Sequence, residues 1–289
     1  NLLLGISVSG QVSRTIEALE LGRRAGATAV AVTNNRKAPL AGVADLLLET
    51  SVPPLQDELA GMIVPGSRSY IASQLVLYLL AIHLGQERGH VSQAQANKLR
   101  RELGAMADLM EATIAANDSA ARRAAKAWQD EDRFVFCGSG PNYGTAQFSA
   151  AKVLEASGDS AIAQDMEEWA HLQYFARHVS TPTILISAGK RDQDRVQEIA
   201  TAAKTIGRQL AIISPGESAL AQHSEVDFLF PLDGKTRECF SPLLACLPGI
   251  LFAAYRAQFT GEPYFRDFGG GRSAEGGGGI SRIRDSHRR

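Results

Sequence analysis

Leu2-Leu3-Leu4-Gly5-Ile6-Ser7-Val8-Ser9-Gly10-Gln11-Val12-Ser13 is an apolar run that breaks into a Ser-x-Ser-Gly turn, and a helical pattern follows from Arg14. Strand, tight turn and helix in that order open a parallel α/β unit. The turn offers two hydroxyls, backbone N–H groups and the positive end of a helix dipole. Those are the groups that hold a phosphate monoester without a lysine. The same residues also suit a plain helix cap after a strand, so the turn alone leaves both readings open.

Working outward, the first half alternates strand and helix. Strands are expected at Leu2–Ile6, Ala29–Thr33 and Leu46–Glu49, with a helix over Arg14–Arg24 and a short helix or turn over Pro39–Val43. Strands joined by helices at this spacing predict a parallel sheet covered on both faces. After Val52-Pro53-Pro54 a helix is expected from Ser69 to near Gly85 or Gly89 and another from about Ser92 to Ala116, with Ser119–Trp128 continuing helical.

A second α/β unit starts at Arg133, with strands at Arg133–Cys137, Ser160–Ala163, Pro182–Ser187, Leu210–Ser214 and Asp227–Phe230. Helices are expected over Tyr143–Ala156, Asp165–Arg177, Asp192–Ile206 and Pro242–Phe259. The Gly138-Ser139-Gly140-Pro141 turn echoes the one at Ser7, and the two halves read as a divergent internal duplication. The expected domains are 1–125, 126–268 and a Gly/Arg-rich tail over 269–289, which is either disordered or a flexible flap over a site.

Composition excludes several classes. Thirty Lys+Arg balance 31 Asp+Glu, so neither a nucleic-acid surface nor an acidic tail is expected. The runs Lys98–Arg101 and Arg122-Arg123 read as solvated helix faces. Cys137, Cys239 and Cys246 lack metal-ligand spacing, and their odd number fits a reducing compartment. The longest apolar stretches are interrupted by Gly, His or Pro, so no membrane span is expected, nor a signal peptide, and the cytoplasm is the expected location. A chain opening on Asn1-Leu2-Leu3-Leu4, already inside a strand, is expected to lack an upstream strand and helix.

The Ser7-Val8-Ser9-Gly10 turn and the Gly-Ser-Gly turn at Gly138 together resemble the SIS (sugar isomerase) family. The chain resembles its two-domain members, such as the isomerase half of glucosamine-fructose-6-phosphate synthase and proteins of the fructosamine-6-phosphate deglycase and amino-sugar-phosphate deaminase type. The resemblance runs from Leu2 to about Arg272. It implies two doubly wound parallel-sheet sandwiches joined by a helical belt, the first incomplete at its start. In the family, Ser-x-Ser-Gly-x-Thr-x-x-Thr holds the sugar phosphate. Ser7, Ser9, Gly10 and Thr15 match, Val12 replaces the first threonine, and Ser13 offers a hydroxyl one position on. Gly66-Ser67-Arg68-Ser69 resembles a further substrate loop, making Ser67 a contact, and Gly138 and Ser139 belong to the second Gly-rich turn.

Lys152-Val153-Leu154-Glu155 resembles the family's Lys-x-x-Glu, whose two residues share a helix face. By resemblance Glu155 is the base that moves a proton between C1 and C2 of a phosphosugar, and Lys152 steadies charge developing on the sugar oxygens. On spacing alone the pair reads as a surface ion pair. Glu168-Trp169-Ala170-His171 resembles a segment whose histidine opens the sugar ring, often in a neighbouring subunit's site, so a homodimer is implied. Leu172-Gln173-Tyr174 departs from the Gly-Pro common there. Gly269-Gly270-Gly271-Arg272 replaces a site-closing lysine, and Arg272 offers a cation for phosphate or carboxylate.

The implied activity is aldose–ketose isomerisation of a sugar or amino-sugar 6-phosphate through an enediol or enolamine. Two alternatives stay open: a deglycase or deaminase using the same base, and a non-catalytic phosphosugar-binding regulator. No cofactor or metal is implied, and the Gly138 turn lacks the third glycine of a dinucleotide fingerprint.

Overall fold

The computed structural model describes residues 1–54, 64–222, 226–270 and 272. The tail beyond Arg272, with Gly271, therefore lies outside the described residues. The chain divides into two compact units, Asn1–Arg100 with the residues from Asp267 on, and Arg101–Arg266.

In the first unit, β1 (Leu2–Ile6), β2 (Thr28–Thr33) and β3 (Leu46–Glu49) form a parallel sheet in the order β1-β2-β3. Gly5 faces Ala31, and Val30 faces Leu46. Alternate residues point to one face, where Leu3, Ala29, Ala31 and Leu47 pack with Ile16 and Leu19 of α1 (Ser13–Arg24) and Leu40 of α2 (Pro39–Gly42). α3 (Arg68–Glu87) follows, and the unit boundary falls inside α4 (Gln93–Gly104).

α5 (Met106–Ala127) continues helical past Ala116 as expected, whereas the single helix expected from about Ser92 to Ala116 breaks at Gly104-Ala105. The polar run Asn117-Asp118-Ser119 stays helical, with the buried Asn117 Nδ2 donating to the Thr113 and Pro231 carbonyls at 2.7 Å each.

The second unit holds β4 (Arg133–Gly138), β5 (Ser160–Asp165), β6 (Thr183–Ile186), β7 (Leu210–Pro215) and β8 (Phe228–Leu232), all parallel in the order β5-β4-β6-β7-β8. The chain leaves β4 to one side for β5 and returns on the other for β6, which is a topological switch point. On one face, α7 (Met166–His171) and α8 (Gln193–Thr205) cover Val135, Cys137, Leu185 and Ile212. On the other, Phe134 packs at a tilt against Trp128 at the end of α5 and edge-on against Phe252 of α9 (Pro242–Thr260), and α6 (Pro141–Ala156) packs against α9. Among the described residues, Glu238–Thr260 is the one stretch long and apolar enough to cross a membrane, and most of it is buried, as in a core helix.

α7 is shorter than the expected Asp165–Arg177. Asp165 caps its start, accepting from the Glu167 amide at 2.9 Å, but a 3-10 turn over Gln173–Phe175 follows. Buried Arg208 donates to the Gln173 carbonyl at 2.6 Å, a partner 35 residues away that no local pattern announces.

The internal repeat has a different phase from the expected one. The counterpart of β1-α1-β2-β3 is β6-α8-β7-β8, so the Ser7 turn corresponds to the turn at Ser187 and not to the one at Gly138. Asp45 exchanges two hydrogen bonds with Ala29, accepting from its amide and donating to its carbonyl at 2.9 Å each; Asp227 does the same with Leu210, at 2.6 and 2.9 Å. A cation near the preceding helix's end pairs with each aspartate, Arg23 with Asp45 at 2.7 Å and Lys204 with Asp227 at 2.9 Å. The Ser7 amide donates to Val32 O and the Ser187 amide to Ile213 O, so both serines leave the sheet in the same register.

Candidate functional site

The turn after β1 is held by its own atoms and by β2. The Gly10 amide donates to both the carbonyl and the hydroxyl oxygen of Ser7, at 3.0 and 3.2 Å, and the Ser9 hydroxyl accepts from the Gln11 amide at 3.4 Å. Val8 O accepts from Thr33 Oγ1 at 3.0 Å and from the Asn34 amide at 3.1 Å. Gly10 has φ +64°, and a Cβ there would lie 2.5 Å from Ala38 Cβ, so only glycine fits. Val12 occupies the cap position of α1 and supplies no side-chain cap, which leaves the Ser7, Ser9 and Ser13 hydroxyls around the helix start. Ser7 and Ser13 are buried, and Thr15 is half-buried in the first turn of α1. Ser67 precedes α3, with its hydroxyl on Pro65 O at 3.3 Å. Arg272 donates locally to Gly269 O at 3.0 Å.

In the second unit the decisive pair is on α6. The Lys152 side chain is only 9% exposed, whereas its ion-pair partner Glu155, one turn on, is 35% exposed. The Lys152 ammonium also lies over the Phe148 ring, 5.1 Å from its centre. A buried cation thus holds one carboxylate oxygen of a glutamate open to solvent, whereas the surface-pair reading of the sequence requires both side chains exposed. The end of α6 is anchored from outside: Arg266 donates to the Glu155, Ala156 and Leu154 carbonyls at 2.5, 3.1 and 3.3 Å. Beneath it, buried Arg256 pairs with Asp159 at 2.9 Å and donates to Trp128 O and Glu131 O.

Gly138 and Ser139 sit at the opposite end of this helix. From Gly140 to Glu155 the helix rise is about 22 Å, so the turn and the ion pair do not meet within the unit. A Cβ on Gly138 would lie 2.2 Å from Asn142 O, and the buried Asn142 links this turn to Ser241 at 3.0 Å. His171 ends α7, across the sheet from α6, and is 67% exposed with Glu167 Oε1 at 3.5 Å. The segment after it is apolar and exposed, Phe175 at 76% most of all, with Tyr174 stacked between Phe175 and Trp169.

A feature the sequence reading missed is a cavity of about 700 Å³ at the carboxyl ends of β6, β7 and β8. Its only sequence signal is a glycine after each of the three strands, Gly189, Gly216 and Gly234. Lys152 and Glu155 do not line it. Among the described residues no group of three or more His, Cys, Asp or Glu side chains could hold a metal ion.

No protein-family model matches the chain. It is 27% identical over 259 residues to the glutamine–fructose-6-phosphate aminotransferase (isomerizing) of Clostridium tetani, covering 88% of this chain and 40% of that protein. To the enzyme of the same name from Symbiobacterium thermophilum it is 28% identical over 264 residues, covering 90% and 41%. The chain thus spans about two fifths of these relatives. Among solved structures, the C-terminal domain of glucosamine-fructose-6-phosphate aminotransferase from Francisella tularensis superposes with a TM-score of 0.80 at 18% identity, covering 90% of this chain and 73% of that one. Glucosamine-6-phosphate deaminase from Thermotoga maritima gives 0.68 at 16%, covering 92% and 72%. The parallel α/β architecture and these likenesses give the chain the SIS phosphosugar-isomerase fold.

Proposed function

We propose that the chain acts on a sugar or amino-sugar 6-phosphate by aldose–ketose proton transfer between C1 and C2. Glu155 is the base, Lys152 stabilises charge on the substrate oxygens, and His171 opens the ring. Ser7, Ser9, Gly10, Ser13 and Thr15 hold the phosphate, and Ser67 adds a contact. The observation that carries this reading is the pairing of a buried Lys152 with a solvent-open Glu155. Sequestering an ammonium costs several kcal/mol, and a surface ion pair gives no return for that cost. A cation held there to orient a carboxylate that must accept and return a proton does.

The chain works as a homodimer in this reading, with each protomer's His171 serving its partner's site. Two features support it: His171 and the Lys152–Glu155 pair occupy opposite faces of one sheet, and the run after His171 exposes Leu172 and Phe175.

The test is solvent-deuterium incorporation at C1 and C2 across a panel of hexose 6-phosphates and fructosamine 6-phosphates, comparing the intact protein with Glu155→Gln. Exchange that disappears in the variant supports the isomerase, and exchange with amine release turns the reading to a deglycase or deaminase. Binding without exchange on every panel member overturns it in favour of a regulator.

A further inference from the structure

The geometry points to a second ligand site, in the unit of β4–β8, that takes the phosphate ester of a small polyhydroxy compound. It is the cavity of about 700 Å³ at the carboxyl ends of β6, β7 and β8. Pockets for small molecules run to about 300–1,000 Å³, so a phosphorylated sugar fits with room for water. In open parallel sheets this edge is where ligands bind. The cavity lies beside the switch point between β4 and β6, where the Arg191–Glu238 pair, at 2.8 and 2.9 Å, links the β6–α8 turn to the segment before α9.

Its lining offers different groups to the phosphate and to the hydroxyls of such a ligand. For the phosphate there are the Ser187–Asp192 turn and the start of α8, a helix of 13 residues whose dipole favours an anion. Gly189 repeats the φ +64° of Gly10, and its amide is fixed on the Ser187 hydroxyl at 2.9 Å. The Asp192 carboxylate is turned onto that same hydroxyl at 2.9 Å and does not line the cavity. Lys190 does line it; its ammonium donates to Thr236 O at 2.9 Å and keeps further N–H donors for a phosphate oxygen. Glu217 and Asp233 line it as well and offer carboxylate oxygens, which accept from ligand hydroxyls, and Lys235 pairs with Glu217 at 3.3 Å at the exposed rim. Leu232 and Leu244 line it with apolar surface. A lysine ammonium and two carboxylate acceptors lining one cavity fit a phosphate joined to several hydroxyls better than inorganic phosphate or an apolar acid.

The site arises from the internal repeat. The turn at Ser187 is the second copy of the turn at Ser7, in the same strand register, with a lysine where the first copy has only hydroxyls. It does not rest on the assignment of Glu155, which lies outside the cavity.

The decisive experiment follows backbone amide shifts of the intact protein by NMR during titration with inorganic phosphate and then with a hexose 6-phosphate. Shifts at Gly189, Lys190, Gly216 and Gly234 are expected, tighter for the ester, and they persist in Ser7→Ala/Ser9→Ala. Lys190→Ala weakens this binding by about tenfold, the loss of one charge-assisted hydrogen bond. Gly216→Leu places a side chain in the cavity wall, its Cβ in ordinary contact with Pro231 Cβ at 3.5 Å, and it weakens these shifts while the rest of the spectrum is retained. Shifts confined to Ser7–Thr15, shifts of Gly189 and Gly234 unchanged by Gly216→Leu, or no shifts at millimolar ester overturn the inference. Deuterium exchange in the Gly216→Leu protein stays at its original rate, which separates this site from the proton-transfer residues.

Discussion

The turns at Ser7 and Ser187 leave their sheets in the same register and differ in almost everything else. Each follows a parallel strand, carries a glycine at φ +64° and feeds a helix whose end pairs with an aspartate on a later strand. The first is closed by its own serine and by Thr33, and its glycine is wedged against Ala38. The second spends its serine on Asp192, brings in Lys190, and stands beside an open cavity. A repeated fold therefore keeps the register in which a turn leaves the sheet, while the turn's own residues and neighbours decide what it meets.

Separating chemistry from binding gives the largest expected effect. Glu155→Gln lowers deuterium exchange by about 10²–10⁴-fold, the usual contribution of a positioned base. Ligand-induced amide shifts at both turns stay as they were; if they vanish with the activity, the turns and the ion pair are not separable functions.

The glycines test how tightly each turn is built. Gly10→Ala meets Ala38 Cβ at 2.5 Å and Thr33 Oγ1 at 2.9 Å, and is expected to cost about 2–4 kcal/mol from backbone strain and overpacking together. Gly189→Ala meets Pro215 Cδ at 3.0 Å and should cost about half as much. Urea unfolding of the two variants measures both, and equal losses would remove the distinction.

Serine truncation should reverse that order. Ser187→Ala removes the hydroxyl that bonds both the half-buried Asp192 carboxylate and the Gly189 amide and costs about 1–3 kcal/mol, whereas Ser7→Ala loses one buried but long bond and costs about 1 kcal/mol. A larger loss for Ser7 in the same unfolding assay contradicts the hydrogen-bond assignment.

The smallest effect is on pH dependence. The Ala29 amide, and then Arg23, hold the Asp45 carboxyl below its ordinary 3.8, and Arg191 holds Glu238 below 4.5. Depressed values in the fold mean that their contributions are present above those ordinary values and fade as pH falls through the folded ones. Asp45→Asn should flatten the acid limb of the stability curve in the first unit and leave that of the second unchanged. An unaltered limb by pH-dependent melting would show that exposure screens the pair completely.

Much of the fold was legible because parallel α/β order is written in short-range periodicity. β1 and β3 lie where the apolar runs place them, and the helix carrying Lys152 and Glu155 follows from the pattern after Gly138. α7 was overextended because its end depends on Arg208 reaching back to Gln173. The repeat was put out of phase because Gly138-Ser139-Gly140 looks more like the Ser7 turn than Ser187-Ala188-Gly189 does. The correspondence lives in Asp45 and Asp227 and their distant partners.

The sequence by itself determined the order of strands, turns and helices, and put a lysine and a glutamate on one helix face, since both depend on residues a few positions apart. Only the tertiary structure decided that Lys152 is buried while Glu155 is open, that His171 lies across the sheet from them, and that a cavity opens beside the second serine turn. Each of those depends on which segments the parallel sheet brings side by side, and no local pattern carries that information.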